Sequence, residues 1–244
     1  MNIETKTVNY TDGPTSLIGY FAWDDARTDG RPGILVIHGG AGLDDHAKGR
    51  ARRLAALGYV ALACDMYGEG VPGNRQRIME AIAGLRSDPQ RLTGRGLAGV
   101  DQLKMHPQVD GRVAAVGYCF GGMAVLEMAR QGAALAGVVS VHGSLGTSHP
   151  ARPGAVRGRV LVCHGALDPH VPTAQVTTFA DEMRDAGVDW QLCVYGGAMH
   201  GFTHEHADGT QTPGVAYHAS SDARSSIAIQ VFLAEVFGLP LRIE

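Results

Sequence analysis

Two hydrophobic patterns take turns along the chain. Residues 1–10 and 17–23 alternate apolar with polar, the two-residue period of a strand covered on one face. Short, mostly apolar runs at 33–37, 59–64, 112–117, 135–141, 159–164 and 189–195 predict further strands, several of them buried on both faces. Residues 44–57, 119–131, 173–186 and 222–237 carry their apolar positions at helical spacing; Asp44 stands where an N-cap belongs, and Gly58 just past the end. Residues 73–105 read as mostly helical, with breaks near Pro89 and Gly94. Strands alternating with helices predict an α/β fold, a mostly parallel central sheet with helices on both faces. No shift in composition divides the chain, so residues 1–244 are expected to form one domain. Residues 203–220 lack periodicity; a long irregular loop in such a domain is expected to line or cover a site.

Composition narrows the function. With 45% hydrophobic and 18% charged residues in 244, the chain is neither disordered nor fibrous. A formal net charge of -3 gives no electrostatic footprint for nucleic acid or anionic lipid, and no apolar run is long enough to span a bilayer. The N-terminus has no signal-peptide pattern, so a cytoplasmic protein with a small-molecule substrate is expected. The four cysteines form no C-x-x-C pair. Cys64, Cys163 and Cys193 follow apolar runs and are expected to act as small buried hydrophobes. The arginine-rich run at 50–53 is expected on an exposed helix face, and Glu127 to be solvated or paired locally.

Cys119 differs from the other cysteines because glycines surround it. Gly117-Tyr118-Cys119-Phe120-Gly121-Gly122 fits G-x-C-x-G between a strand and a helix, the cysteine form of the nucleophile elbow. Such a turn raises the side chain above the carboxyl edge of the sheet, at the positive end of the next helix, where a thiol ionises more easily. Asp168 follows the strand at 159–164, and His200 follows the last strand. The order nucleophile, acid, histidine is that of an α/β-hydrolase triad, with Asp168 orienting the imidazole and His200 moving the proton. The oxyanion hole is expected from the backbone N–H groups of Phe120 and of Gly40, in the run His38-Gly39-Gly40-Ala41-Gly42.

On these residues the chain resembles the dienelactone hydrolase family. Gly117 to Gly122, Asp65-Met66-Tyr67-Gly68, Asp168 with Pro169, and His200-Gly201-Phe202 carry the resemblance, which runs from about Gly33 to the C-terminal helix. It implies an α/β-hydrolase fold, no cofactor, and hydrolysis of a lactone or small carboxylic ester by Cys119, Asp168 and His200. Two positions depart from the best-known members, which carry a Glu near the position of Gly39 and an Arg near that of His204. Candidate substrate contacts are His38, Gly39, Tyr67, Arg77, Phe202 and His204, with Arg75 and Arg86 as further carboxylate binders. Other readings fit parts of the pattern. His200, His204 and His206, with Glu205, Asp208 and His218 nearby, have spacings that suit a metal-dependent hydrolase. A binding protein on a hydrolase scaffold and a thiol–disulfide enzyme also use such folds.

Overall fold

The computed structural model describes residues 1–241. Its centre is a single eight-stranded sheet. The strands are β1 (Ile3–Asp12), β2 (Thr15–Asp24), β3 (Arg31–Ile37), β4 (Val60–Cys64), β5 (Val109–Tyr118), β6 (Gly137–Val141), β7 (Arg159–Gly165) and β8 (Trp190–Tyr195). Their order across the sheet is β1-β2-β4-β3-β5-β6-β7-β8. Only β2 runs against its neighbours; β3 to β8 are parallel. This is the α/β-hydrolase fold, and it places the ends of β3, β5, β7 and β8 along one carboxyl edge.

Every residue of β3, β4 and β6 is buried, as continuous apolar runs require when both faces of a sheet are covered. On one face lie α1 (Asp45–Ala56) and α6 (Ala219–Phe237), packing Ala47, Ala51, Leu54, Leu233 and Phe237 against the sheet. On the other lie α3 (Pro89–Lys104), α4 (Phe120–Arg130) and α5 (Thr173–Asp185), which contribute Leu92, Leu103, Met123, Met128 and Phe179. All of α4 is buried, which explains why its sequence is apolar around the whole helix. No helix among the described residues is long and apolar enough to cross a membrane.

The expected elements are present, with two corrections. The break near Pro89 is real: α2 (Arg75–Arg86) ends there, and Asp88 caps the next helix by accepting from the Arg91 N–H. The break at Gly94 is absent, because α3 buries Leu92, Gly96, Gly99 and Leu103 along one face. That packing outweighs the roughly 1 kcal/mol by which one glycine disfavours a helix. Arg50 is not on an exposed face: it is buried beneath α6, its guanidinium donating to Asp222 at 3.0 Å and to the Thr203 carbonyl at 2.8 Å. Glu127 is buried and paired locally, as one of its two expected readings had it, to Arg130 at 2.8 Å.

The tightest packing sits where β5 turns into α4. A side chain begun at Gly117 would meet the Gly121 carbonyl oxygen at 1.9 Å, and one begun at Gly121 would meet the Ile37 carbonyl oxygen at 2.2 Å. Both obstacles are backbone and cannot rotate away. Gly121→Ala is therefore expected to destabilise the fold by about 3 kcal/mol, the upper end of overpacking, measured as a lower urea midpoint at unchanged slope.

Candidate active site

Cys119 occupies that turn. Its backbone has φ 53 and ψ −111, a left-handed conformation that a side-chain-bearing residue holds only when its surroundings impose it. Three bonds do so here. The Cys119 N–H reaches the Val141 carbonyl at 3.0 Å and Nδ1 of His142 at 3.1 Å, and the Gly121 N–H donates to the His38 carbonyl at 3.1 Å.

From this position Sγ lies 3.1 Å from Nε2 of His200, and Nδ1 of His200 lies 2.8 Å from Oδ2 of Asp168. The second Asp168 oxygen accepts the His170 N–H at 2.8 Å, so the carboxylate is fixed at both ends. Burial alone would push the Cys119 thiol up. The hydrogen bond and charge of His200, with the N–H groups of Phe120 and Gly40, outweigh burial and hold it below the ordinary thiol value. Burial would likewise lower His200, but Asp168 and Cys119 raise it well above an ordinary imidazole. Both shifts favour movement of the thiol proton toward His200. Cys64 and Cys163 are pushed the other way by burial, Cys163 to about 12; Cys193 is half-buried rather than buried.

The loop before α1 brings the Gly40 N–H to this sulfur, and residues beneath the loop hold it there. His38 is fully buried: Nδ1 donates to the Gly39 carbonyl at 2.7 Å, and Nε2 accepts the Met66 N–H at 3.1 Å. Tyr67 donates its hydroxyl to the Gly40 carbonyl at 3.2 Å. His38 and Tyr67 therefore brace the loop from below instead of facing a substrate. Phe202 is also corrected: it is fully buried, edge-on to His142. Arg77, on α2, is bonded to the Gly70 carbonyl, and Arg75 and Arg86 are exposed; none of the three is among the residues lining the space over Cys119.

A groove of about 1220 Å³ opens over Cys119 and His200, bounded by α1, α2 and residues 204–215. The irregular loop after His200 lines it, as its lack of periodicity suggested. His204 is the one proposed substrate contact whose side chain lines it, with Gly39 facing both His204 and Cys119. The histidine-rich segment does not converge: among the described residues, no group of three or more His, Cys, Asp or Glu is placed to hold a metal ion. His218 turns away to Ser221, at 2.8 Å.

A chain of hydrogen bonds behind the site escaped the sequence reading. Nε of Arg50 donates to Nε2 of His46 at 3.3 Å. An arginine N–H can only donate, so Nε2 of His46 must accept. The Thr203 hydroxyl, 3.0 Å from the same nitrogen, then donates to it. Its oxygen is left to accept Nε2–H of His142 at 2.9 Å. Nδ1 of His142 is consequently unprotonated and receives the Cys119 N–H. Both imidazoles are neutral: burial, then neighbouring histidines and Arg50, lower His46 to about 2 and His142 well below its usual value. His142 has a positive φ of 41 on a side-chain-bearing residue, a geometric signal that the sequence does not carry.

Comparison with known proteins points to one family. A model of the dienelactone hydrolase family matches residues 18–237. A Salmonella typhi protein named "Putative carboxymethylenebutenolidase" is 26% identical over 215 residues, covering 83% of this chain and 76% of that protein. A Bradyrhizobium protein named "Probable 2-oxo-3-(5-oxofuran-2-ylidene)propanoate lactonase" is 28% identical over 222 residues, covering 84% and 88% respectively. Among solved structures, the dienelactone hydrolase-like promiscuous phosphotriesterase P91, from metagenomic libraries, superposes with a TM-score of 0.92 at 41% identity, covering 98% of this chain and 100% of that one.

Two outcomes follow from the site. Alkylation of Cys119 by iodoacetamide should persist below the pH at which a free thiol protonates, and fall away as pH drops through the lowered Cys119 value. At mildly acidic pH the rate should exceed that of a free thiol by about tenfold or more, read by mass spectrometry of the Cys119 peptide; a midpoint at the ordinary thiol value contradicts that lowering. Thr203→Val should destabilise the fold by about 1–3 kcal/mol, because Nε2–H of His142 loses its buried acceptor. Thr203→Ser keeps that acceptor and should be nearly neutral in the same unfolding measurement.

Proposed function

The chain belongs to the dienelactone hydrolase family and is a hydrolase of esters or lactones; on that premise we propose that it cleaves lactones or small activated carboxylic esters through Cys119, His200 and Asp168. The observation that carries the reading is the unbroken line from Sγ through the imidazole to the carboxylate, 3.1 and 2.8 Å long.

The Cys119 thiolate attacks the carbonyl carbon, forming the C–S bond as the C=O electron pair moves onto oxygen. The Phe120 and Gly40 N–H groups, which meet the sulfur at rest, serve as donors for that oxyanion. Collapse of the intermediate expels the alkoxide or enolate, which takes the proton from Nε2 of His200. A thioester and a neutral imidazole remain. His200 then removes a proton from water, the hydroxide adds to the thioester carbonyl, and the thiolate leaves as the acid forms. Asp168 keeps Nδ1–H of His200 pointing at itself, so that Nε2 always faces the reaction.

A thiolate is itself a good leaving group, so the first intermediate partitions forward only when the substrate's leaving group is at least comparable. Enol lactones and aryl esters meet this condition; alkyl esters and amides do not.

Hydrolysis of p-nitrophenyl acetate by the wild type should fall by about 10³-fold or more in Cys119→Ala, at matched concentrations of folded protein. Cys119→Ser should be slower than the wild type on enol esters. Equal rates in wild type and Cys119→Ala, or no activity in either, would sink the assignment.

A further inference from the structure

The charges of the groove define what it accepts. Next to Cys119, the space over Gly39 is filled by the ring of His204, whose Nε2 lies 3.6 Å from where a Gly39 side chain would begin. This ring stacks on His46 with centroids 3.9 Å apart. Burial, Arg50 and His200 hold His204 below its ordinary value despite Asp44, so both stacked rings are uncharged near neutral pH.

Two arginines of the groove are held in ion pairs, and the third is bonded to a neutral hydroxyl. Arg50 is buried against Asp222. Arg53 is paired with Glu205 at 3.0 Å. Arg52 donates to the Tyr20 hydroxyl at 3.0 Å and sits nearly two turns along α1 from His46, about 9 Å at 1.5 Å per residue. By contrast, the carboxylates of Asp44, Asp45 and Asp208 line the groove with no ion pair among the described residues. Ile78, Met79, Ile82 and Val215 add an apolar wall.

We propose that this site selects uncharged, largely apolar esters or lactones and discriminates against those bearing a carboxylate; the proposal rests on the ester-hydrolase reading above. A carboxylate seated next to Cys119 gives up water, meets two neutral imidazoles there, and faces like charge on Asp44. An uncharged acyl chain gains by covering the α2 wall. The names of the two curated relatives denote carboxylate-bearing lactones, a charge that this groove meets with no unpaired cation beside Cys119. P91, at 41% identity, is named for action on phosphotriesters, which carry no charge.

The test compares two esters with one leaving group and equal chain length, p-nitrophenyl hexanoate and mono-p-nitrophenyl adipate, corrected for background hydrolysis. The expected kcat/KM ratio favours hexanoate by roughly tenfold or more, the effect of a like charge a few ångströms away. Added salt should narrow that ratio by screening. Asp44→Asn should narrow it too, since asparagine still caps α1; if that variant fails to fold, the salt series decides alone. Equal or faster turnover of adipate overturns the proposal, as does a ratio that neither salt nor Asp44→Asn moves. If neither ester is hydrolysed, or if Cys119→Ala retains both rates, the parent reading fails and this one with it. Loss of both rates in Cys119→Ala, whatever their ratio, leaves the parent reading standing.

Discussion

The site depends on backbone packed against backbone where β5 meets α4. Gly117 and Gly121 bring the helix so close to the strand that no side chain fits between them, and the residue in the turn is forced into a left-handed conformation. Strain there is of order 1–3 kcal/mol, and the parallel sheet on both sides makes relief impossible without moving β3 or β6. In return, one sulfur stands at the positive end of a fully buried helix, within reach of two backbone N–H groups and one imidazole. The chemistry of Cys119 is thus a property of the turn more than of the cysteine.

Around this point the molecule uses two kinds of support. Beneath the loop before α1, His38 and Tyr67 tie down carbonyl oxygens, leaving the opposite N–H free to face the sulfur. Behind the turn, His142 and Thr203 connect Cys119 to the segment that carries His200. Asp168, His200 and Cys119 come from three different strand ends, yet each is held by bonds that cross between those ends. Precision of this kind comes from buried polar groups satisfied in pairs, which are costly to break singly and therefore rigid.

The fold was legible because parallel strands buried on both faces write themselves as continuous apolar runs, and the glycines around Cys119 mark the turn. Cys119, Asp168 and His200 could be placed because each follows a strand end, and chain order did the rest. What could not be read was which polar residues face inward. Arg50 sits in a charged run that looks like an exposed helix face; only the packing of α6 and the Thr203 carbonyl makes it a buried residue. His38, Tyr67 and Phe202 were correctly assigned to the neighbourhood of the site but to the wrong side of it. Distance along a strand or loop gives proximity, whereas the direction of a side chain is settled by contacts made tens of residues away. His46, His142 and Thr203 carry no motif at all.

The buried guanidinium of Arg50 has an effect beyond neutralising Asp222. A row of histidine and threonine hydroxyl groups is degenerate: each ring exists as two tautomers, and such a row can run with its protons pointing either way. Here a group that can only donate stands at each end, the Arg50 guanidinium and the Cys119 amide, and both demand the same single arrangement of the protons between them. Lysine at position 50 would keep the charge but hold no N–H at the Nε position, so the direction of the row would rest on the Cys119 amide alone.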